Sequence, residues 1–304
     1  MRFTALHPLH HTTYSQEILE PGFVAEFART AEAVGFDALA LTEHPAPSAR
    51  WRNAGGHDAF DVFAVLGFWA GVTSRIALMP YVLVPGFRSA VLGAKQIATL
   101  DRLAGGRLIV PVGTGYLRSE ATALGMDFDA RNDVLDEALD VWRQVWSGEE
   151  VSIHGRFTEA DGILARPTPH GDGHPPIWIG GNSARARQRT ADVGRGWTPI
   201  LGGAQLARTT RTAPIPDLET LARTVDDLRR RLEAAGRDPG EVAVQLQGGG
   251  GRLVEHDEPA GPYLDWLAEV EAAGVTQLIV ELPADSAARS IEGLHRYAAE
   301  VIHR

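Results

Sequence analysis

Short apolar runs alternate with longer amphipathic segments along most of the chain. The clearest run is residues 108–112 (LIVPV), which is apolar throughout, as is typical of a strand covered on both faces. Gly105 and Gly106 come before it and end the preceding helix. A glycine-rich turn at residues 113–115 then leads into the next helix. This unit of strand, turn and helix is the repeating pattern of the sequence.

The same pattern predicts eight strands, each followed by a helix. The predicted strands are residues 2–6, 38–41, 75–84, 108–112, 176–179, 197–200, 242–246 and 277–282. The predicted helices are residues 21–34, 58–72, 89–103, 132–146, 184–193, 217–235, 262–273 and 287–302. Eight such repeats predict one α/β domain over residues 1–304, a (β/α)8 TIM barrel.

Residues 151–175 interrupt the alternation between the fourth and fifth strands. Within them, residues 151–157 predict a hairpin, and a loop rich in Pro, Gly and His follows. Residues 46–56 and 202–215 are predicted to be long loops, the second of them mobile. A doubly wound sheet is the alternative fold. A dinucleotide-binding version of it is disfavoured, because the first strand lacks the glycine fingerprint.

Composition narrows the class of protein. The 29 basic and 39 acidic residues give a net charge of −10, which argues against a general surface for nucleic acid or anionic membrane. The sequence has no cysteine, so disulfides and cysteine nucleophiles are excluded. No signal segment and no membrane-spanning run is apparent, which predicts a cytoplasmic protein.

Polar residues and glycines cluster where the predicted strands end, which is where (β/α)8 barrels bind their ligands. These strand ends carry His7, His10, His11, Glu43, His44, Tyr81, Val82, Thr114, Gly115, Tyr116, Gly180, Gly181, Asn182, Ser183, Gly196, Trp197, Gln245, Gln247 and Glu281. His44 follows Glu43 and precedes Pro45, so it is held in an extended conformation. It could act as an acid or base near neutral pH, or simply hydrogen-bond a loop.

Two further groups suggest ligand binding. Gly180, Gly181, Asn182 and Ser183 separate a strand from a helix, where backbone N–H groups could hold a phosphate or Asn182 or Ser183 could serve as an ordinary cap. The N-terminal histidines suggest a metal site, but the later strand ends supply glycine, tyrosine, threonine and tryptophan. We therefore expect no metal, and a barrel metallohydrolase is a distant alternative.

Four motifs together resemble the bacterial luciferase-like monooxygenase superfamily, and within it the oxidoreductases that depend on the deazaflavin coenzyme F420. They are GFDALALTEHP, TSRIALMPYVLVPGFRSAVLGAKQIATLDRLAGGR, GTGYLRSEATALGMDFDARNDVLDEAL and PPIWIGGNSARARQRTADVGRGW. They span most of residues 20–200 in the order that the family has, and the remainder matches only in its barrel rhythm.

The resemblance implies a flavin-type ring in the mouth of the barrel. It places Tyr81 and Val82 at a bulge behind the ring, often with a non-prolyl cis peptide, and His44 near the reactive edge. It places Thr114, Gly115 and Tyr116 along the ring or its ribityl chain. It assigns the phosphate end and the tail of the cofactor to the following residues: Gly180, Gly181, Asn182, Ser183, Gly196 and Trp197. Some sugar-phosphate dehydrogenases of this group carry an acid where Tyr116 stands here, which argues against a sugar-phosphate substrate.

The implied reaction is hydride transfer with coenzyme F420 to or from a small organic substrate, in which His44, tuned by Glu43, exchanges a proton. The alternative cofactor is FMN, whose reduced form reacts with oxygen and needs a partner flavin reductase. A flavin-binding barrel without turnover ranks lower because His44 is present. The resemblance also implies a homodimer, and the aromatic helix at residues 60–72 is a candidate for its interface or for a well-buried core helix.

Overall fold

Strands and helices alternate through the structure, a computed structural model that describes residues 1–171 and 173–304. In those residues the strands are β1 (Arg2–Leu6), β2 (Ala38–Leu41), β3 (Ala77–Pro80), β4 (Val110–Val112), β5 (Val151–His154), β6 (Glu159–Ile163), β7 (Ile177–Gly180), β8 (Gly196–Thr198), β9 (Ala243–Leu246) and β10 (Gln277–Glu281). Eight of them form one parallel sheet in the order β3-β2-β1-β10-β9-β8-β7-β4, while β5 and β6 pair as a separate antiparallel hairpin.

The two edge strands of this sheet meet and close it into a barrel. The N–H of Leu78 on β3 donates to the carbonyl of Arg107 at 3.0 Å, and the N–H of Ile109 donates back to Leu78 at 2.9 Å. Beyond the end of β3, the N–H of Leu83 donates to Pro111 on β4 at 2.8 Å. The predicted (β/α)8 barrel is therefore confirmed.

Twelve α-helices are found in the described residues. They are α1 (Pro21–Ala33), α2 (Ala49–Asn53), α3 (Val62–Val72), α4 (Ala90–Leu103), α5 (Arg118–Ala123), α6 (Arg131–Val145), α7 (Ala184–Val193), α8 (Ala204–Thr209), α9 (Leu218–Ala234), α10 (Arg252–Glu255), α11 (Ala260–Ala272) and α12 (Ala287–Tyr297). Asp61, Ser183, Asp217 and Ser286 begin α3, α7, α9 and α12 as side-chain caps that accept a backbone N–H. Over the described residues no helix is long and apolar enough to cross a membrane.

The core has two layers. Inside the barrel, Leu6, Met79, Trp178 and Ile279 pack against one another, and they are all buried. A larger apolar cluster fills the space between the strands and the surrounding helices. Alternate residues of each strand therefore face the two layers, which is why the strands read as continuous apolar runs in the sequence.

Several predicted boundaries differ from the structure. The loops predicted at residues 46–56 and 202–215 each contain a short helix, α2 and α8. The strand predicted at residues 75–84 is regular only as far as Pro80, and its ladder resumes at Leu83, so the chain is irregular between them. The hairpin predicted at residues 151–157 extends to residue 163. Short helices were missed because one or two turns leave little periodicity to read.

His7 lies in an aromatic part of the shell, just after β1. Its side chain is 2% exposed, and its ring meets Phe27 and Trp69 at centroid distances of 5.4 and 6.0 Å. The Nδ1 atom accepts the N–H of Leu9 at 3.3 Å. Burial lowers the pKa of His7 from 6.5 to about 3, because a charged imidazole is poorly solvated there. The folded protein therefore keeps His7 neutral.

This burial predicts a pH-dependent loss of stability. Below pH 6.5, His7 binds a proton in the unfolded chain but stays neutral in the folded protein. The free energy of unfolding therefore falls as the pH drops from 6.5 towards 3. One such group contributes a slope of up to about 1.4 kcal/mol per pH unit. We expect His7→Phe to reduce that slope in urea unfolding measured from pH 7 to pH 4. His295→Phe, at an exposed position on α12, is the control, and equal slopes in the two variants would contradict the prediction.

Candidate active site

A mostly buried chain of three hydrogen-bonded side chains lies at the C-terminal ends of β2 and β4. The Nδ1 atom of His44 is 3.0 Å from Oε2 of Glu120, and its Nε2 atom is 3.2 Å from the hydroxyl of Tyr116. The other oxygen of Glu120 accepts the N–H of Ala46 at 2.9 Å. The side chains of His44 and Glu120 are only 10% and 1% exposed. Both nitrogens of His44 are thus engaged by defined partners.

The predicted partner of His44, Glu43, points elsewhere. Its carboxylate accepts the N–H of Val84 at 2.6 Å and forms a salt bridge with Arg88. Burial raises the pKa of Glu43, although the Arg88 guanidinium opposes that effect. Successive residues in an extended segment face opposite sides, which is why neighbours in sequence are separated here. Glu43 therefore anchors the segment after β3, and the structure does not bring it to His44.

Glu120 is the residue that sequence reasoning missed. It lies in the first turn of α5, a helix of six residues; the sequence pattern indicated a helix after the glycine-rich turn but assigned no bounds to it here. The available signal was the motif GTGYLRSE, in which an acidic residue follows Tyr116 by four positions and could face the same side of a helix. A buried carboxylate needs partners, and His44 and Ala46 supply them.

Aromatic rings surround His44 on its remaining sides. Its ring centroid is 4.6 Å from that of Trp51 on α2 and 5.0 Å from that of His57. The Nδ1 atom of His57 is 2.9 Å from the carbonyl of Asp58, and burial lowers the pKa of His57 to about 4. His57 is therefore neutral at physiological pH. Together with Tyr116, these rings form a wall without a cationic side chain.

The predicted bulge after β3 forms the adjoining floor. The peptide bond between Tyr81 and Val82 is cis, and the Tyr81 hydroxyl lies 2.8 Å from Oγ1 of Thr198 on β8. Two glycines from other parts of the chain, Gly113 and Gly180, lie beside the side chain of Val82. A Cβ atom at Gly113 would lie 2.8 Å from Val82 Cγ2, and one at Gly180 would lie 3.4 Å from Val82 Cγ1. A larger residue at Gly113 would displace Val82, whereas one at Gly180 would come within 3.2 Å of the carbonyl oxygen of Val112.

Thr114, Gly115 and Tyr116 line the same mouth, and all three are partly exposed. Gly115 has φ +74°, and a Cβ there would also come within 3.2 Å of Val84, so glycine is favoured on both counts. The carbonyl of Tyr116 accepts Nε of Arg211 at 3.1 Å. These contacts fix the turn between β4 and α5.

In the turn after β7, Ser183 and Asn182 have different structural roles. Ser183 caps α7 by accepting the N–H of Ala186 at 3.1 Å. The amide of Asn182 donates to the carbonyls of Ile200 and Ala213 at 2.9 and 2.8 Å and accepts the N–H of Ile200 at 2.9 Å. Its hydrogen-bonding groups are thus used to hold the following loop, so the side chain of Asn182 has a positioning task.

Trp197 and Gly196, at the start of β8, contact neighbours on opposite sides of the sheet. Trp197 is fully buried, and its indole N–H donates to the carbonyl of Gly181 at 2.8 Å. A Cβ at Gly196 would lie 2.4 Å from the ring of Trp178, so glycine makes room for that ring inside the barrel. Gly181 itself has φ +101°. Trp197 and Gly196 thus shape the site through their neighbours.

A family model described as luciferase-like monooxygenase matches residues 1–249. The architecture is that of an α/β barrel, and the chain belongs to the luciferase-like monooxygenase family. The resemblance to this family inferred from the sequence motifs is thereby confirmed.

Two curated relatives are F420-dependent glucose-6-phosphate dehydrogenases. The protein from Microbacterium testaceum (strain StLB037) is 30% identical over 226 residues, which are 72% of this chain and 65% of the relative. The protein from Kineococcus radiotolerans (strain ATCC BAA-149 / DSM 14245 / SRS30216) is 31% identical over 233 residues, 75% of this chain and 63% of the relative. The match thus spans slightly less than two thirds of each relative.

Solved structures share the fold over nearly the entire chain. A monooxygenase from Streptomyces bottropensis is 20% identical with a TM-score of 0.76, covering 100% of this chain and 99% of that one. An F420-dependent secondary alcohol dehydrogenase, solved with an F420-acetone adduct, is 17% identical with a TM-score of 0.77, covering 99% and 98%. At these identities the likeness establishes the fold.

The hydrogen bonds of Asn182 predict that it stabilises the fold more than its neighbour does. Asn182→Ala leaves two carbonyls and one N–H without their partner, which we expect to lower the free energy of unfolding by about 2–4 kcal/mol. Ser183→Ala removes one cap and is expected to cost about 1 kcal/mol. Urea unfolding measures both changes, and a loss no larger in Asn182→Ala than in Ser183→Ala would refute the assignment.

Proposed function

We propose that this protein is an oxidoreductase that uses coenzyme F420 to transfer a hydride to or from a small uncharged organic substrate. The observation that carries the proposal is the mostly buried chain of Glu120, His44 and Tyr116 in the mouth of the barrel. Such a chain can hold and move the proton that accompanies hydride transfer. The curated relatives, which are F420-dependent dehydrogenases, support the choice of cofactor.

The partners of His44 define where its proton lies. An ionised Glu120 can only accept hydrogen bonds, so Nδ1 of His44 carries the hydrogen and Nε2 presents a lone pair. Tyr116 then donates its O–H to that lone pair. Burial, together with the charge of Glu120, raises the pKa of the Tyr116 hydroxyl, so it stays protonated at neutral pH. When a hydride leaves the carbon of an alcohol, the Nε2 lone pair can accept the hydroxyl proton, and the charge of Glu120 stabilises the imidazolium that forms. In the reverse direction that imidazolium returns the proton to the oxygen of the carbonyl substrate.

The residues of the mouth fit a flat cofactor ring. Val82 is held between two positions that lack a Cβ, Gly113 and Gly180, and this arrangement provides an apolar floor beside the partly exposed Thr114. Val82, Thr114 and Gly115 would hold the ring and the chain attached to it. Coenzyme F420, when bound, supplies a ring carbon that accepts or donates the hydride.

The phosphate end of the cofactor would meet the start of α7. This helix has ten residues, so backbone N–H groups and the helix dipole favour an anion at its first turn. Gly181 and Ser183 shape that turn, while Asn182 keeps it attached to the next loop. The nearby Arg185 is paired with Asp133 and Asp136 and is already neutralised.

The rings around His44 support an uncharged substrate. Trp51, His57 and Tyr116 are neutral at physiological pH, so these three rings offer no positive charge to a phosphate or carboxylate next to His44. The neighbouring arginines have partners of their own, since Arg52 pairs with Asp58 and Arg211 donates to the carbonyl of Tyr116. Tyr116 also stands where some sugar-phosphate dehydrogenases of the family carry an acid. The proposed substrate is therefore a small alcohol or carbonyl compound.

The alternative function is that of an FMN-dependent monooxygenase that receives reduced flavin from a separate reductase. The structure from Streptomyces bottropensis, a monooxygenase that matches this chain from end to end, favours this candidate. The enclosed mouth would then exclude water from the oxygen reaction.

A homodimer and a cytoplasmic location stay predictions. In the helix proposed for the interface, Leu66 and Trp69 are buried in the shell of the barrel. Phe68 is 41% exposed on the same helix, and Leu92 on α4 is 51% exposed. These exposed side chains on neighbouring helices support the proposed pairing face.

Cofactor choice is tested by binding. The protein is titrated with oxidised and reduced coenzyme F420 and FMN, and fluorescence or calorimetry follows the binding. We expect F420 to bind at least about tenfold more tightly than FMN, a difference of about 1.4 kcal/mol. Tighter binding of reduced FMN would favour the monooxygenase, and binding of neither would overturn the site. Gly113→Ala, which displaces Val82, is expected to weaken binding, whereas Gly203→Ala has no atom within 4 Å and is its control.

Side-chain roles are tested by turnover with a panel of alcohols and carbonyl compounds. We expect His44→Ala to lower kcat by about 10²–10⁴-fold, the range typical of a lost acid or base. Glu120→Gln keeps the size of the side chain but not its charge, so we expect a smaller loss of kcat with unchanged affinity for F420. Glu43→Gln breaks the bridge to Arg88 and should reduce stability with little effect on kcat. Full activity of His44→Ala would remove the proposed role.

A further inference from the structure

A second polar cluster lies elsewhere on the rim of the barrel, and nothing in the proposed reaction uses it. His10 and His11 follow β1, and Glu255 ends the short helix α10 after β9. One potential ligand atom from each of the three residues lies within 4.8 Å of the other two. Residues distant in sequence thus bring two imidazoles and a carboxylate to one place. These are donor types that bind divalent transition metals.

The distances around His11 match those between ligands of one metal ion. Its Nε2 atom is 3.1 Å from Oε1 of Glu255 and 2.9 Å from the carbonyl oxygen of Leu282. Ligands about 2.0–2.1 Å from a tetrahedral ion are separated by about 3.3 Å. His11 and Glu255 already have that spacing, and the ligand atom of His10, which lies within 4.8 Å of both, would move inward to complete the set. The atoms lie close enough to share an ion.

His10 is oriented in the way that metal-binding histidines commonly are. Its Nδ1 atom lies 3.0 Å from the carbonyl oxygen of His7. A hydrogen bond from Nδ1 to that carbonyl fixes the tautomer and leaves the Nε2 lone pair free to bind a cation. The fold therefore already supplies the outer partner of one ligand.

A separate observation concerns the carboxyl group of Glu281, which lies near Glu255. The Oε2 atom of Glu281, at the end of β10, is buried and has no hydrogen-bond partner in the described residues. Glu281 lies close enough to Glu255 for their charges to repel. A buried acceptor without a partner is costly, and a nearby positive ion would compensate for it.

In many (β/α)8 barrels the loops after the last two strands bind a phosphate group. The corresponding loops here follow β9 and β10. In this protein, two carboxyl groups lie against the glycines at residues 248–251, where a phosphate would otherwise bind. A Cβ at Gly250 would lie 3.2 Å from Oε2 of Glu281, and one at Gly251 would lie 1.9 Å from Oε2 of Glu255. The two acids would repel a phosphate, so the position suits a cation.

We propose that His10, His11 and Glu255 bind one divalent transition metal ion of the Zn²⁺ type. The ion would join the loops that follow β1 and β9, and it would lie beside the loop that follows β10. This proposal departs from the sequence-based expectation of no metal, and it does not depend on the proposed oxidoreductase activity.

The test measures metal binding to protein that carries no oligohistidine tag. Zn²⁺ and Mg²⁺ are each titrated by calorimetry after chelator treatment, and Co²⁺ is added separately to record its visible absorption spectrum. We expect one Zn²⁺ per chain, no comparable binding of Mg²⁺ because imidazole disfavours it, and a Co²⁺ spectrum typical of nitrogen and oxygen ligands. Zn²⁺ should also raise the Tm, since it binds only the folded site.

Two variants remove ligands in different ways. His11→Ala deletes an imidazole, and Glu255→Gln keeps the shape and a hydrogen-bond acceptor but loses the charge. Each is expected to weaken Zn²⁺ binding by at least about 100-fold and to abolish the rise in Tm. His295→Ala, an exposed histidine on α12, should bind as the parent does. Circular dichroism confirms folding. Absence of Zn²⁺ binding to the parent, or binding that survives both variants, would overturn the proposal.

Discussion

The carboxylate of Glu120 is the constraint on which the site depends. It is almost completely buried, and it accepts one hydrogen bond from His44 and one from the backbone of Ala46. Both groups belong to the segment after β2, whereas Glu120 belongs to the helix after β4. A buried charge needs such partners, so the two loops are held in one arrangement. The tautomer of His44 and the position of Tyr116 follow from that arrangement.

The barrel itself could be predicted from the sequence because each strand is buried on both faces and each long helix has one apolar face. These patterns depend only on local order along the chain. The predicted end of β3 was less accurate, because the hydrogen-bonded ladder is interrupted at Tyr81 and Val82. These residues are of types common in strands, so the sequence does not reveal the interruption. Helices α2 and α8 were missed, since five or six residues carry too little periodicity.

For the candidate site, the structure tests which predicted residues come together, while their roles stay predictions. His44 and Tyr116 were expected at the mouth, and they lie there within hydrogen-bond distance. Glu43 was the natural partner by sequence, but an extended backbone turns adjacent side chains apart, and Glu43 bonds to Val84 instead. Glu120 and Glu255 come from short helices to which the sequence pattern assigned no bounds, and long-range contacts of this kind leave no mark on local pattern.

The closure of the barrel has a consequence for how a ligand is held. Strands β1 and β10 pair over five residues, whereas β3 and β4 are joined only by the bridges at Leu78 and Leu83. Four backbone hydrogen bonds cross this seam, so it can open locally at a smaller cost than the pairing of β1 and β10. Val82 and Gly113 face each other across it. A ligand that contacts both residues would hold the two edges of the seam together. Ligand binding in the mouth would therefore make the whole barrel more rigid.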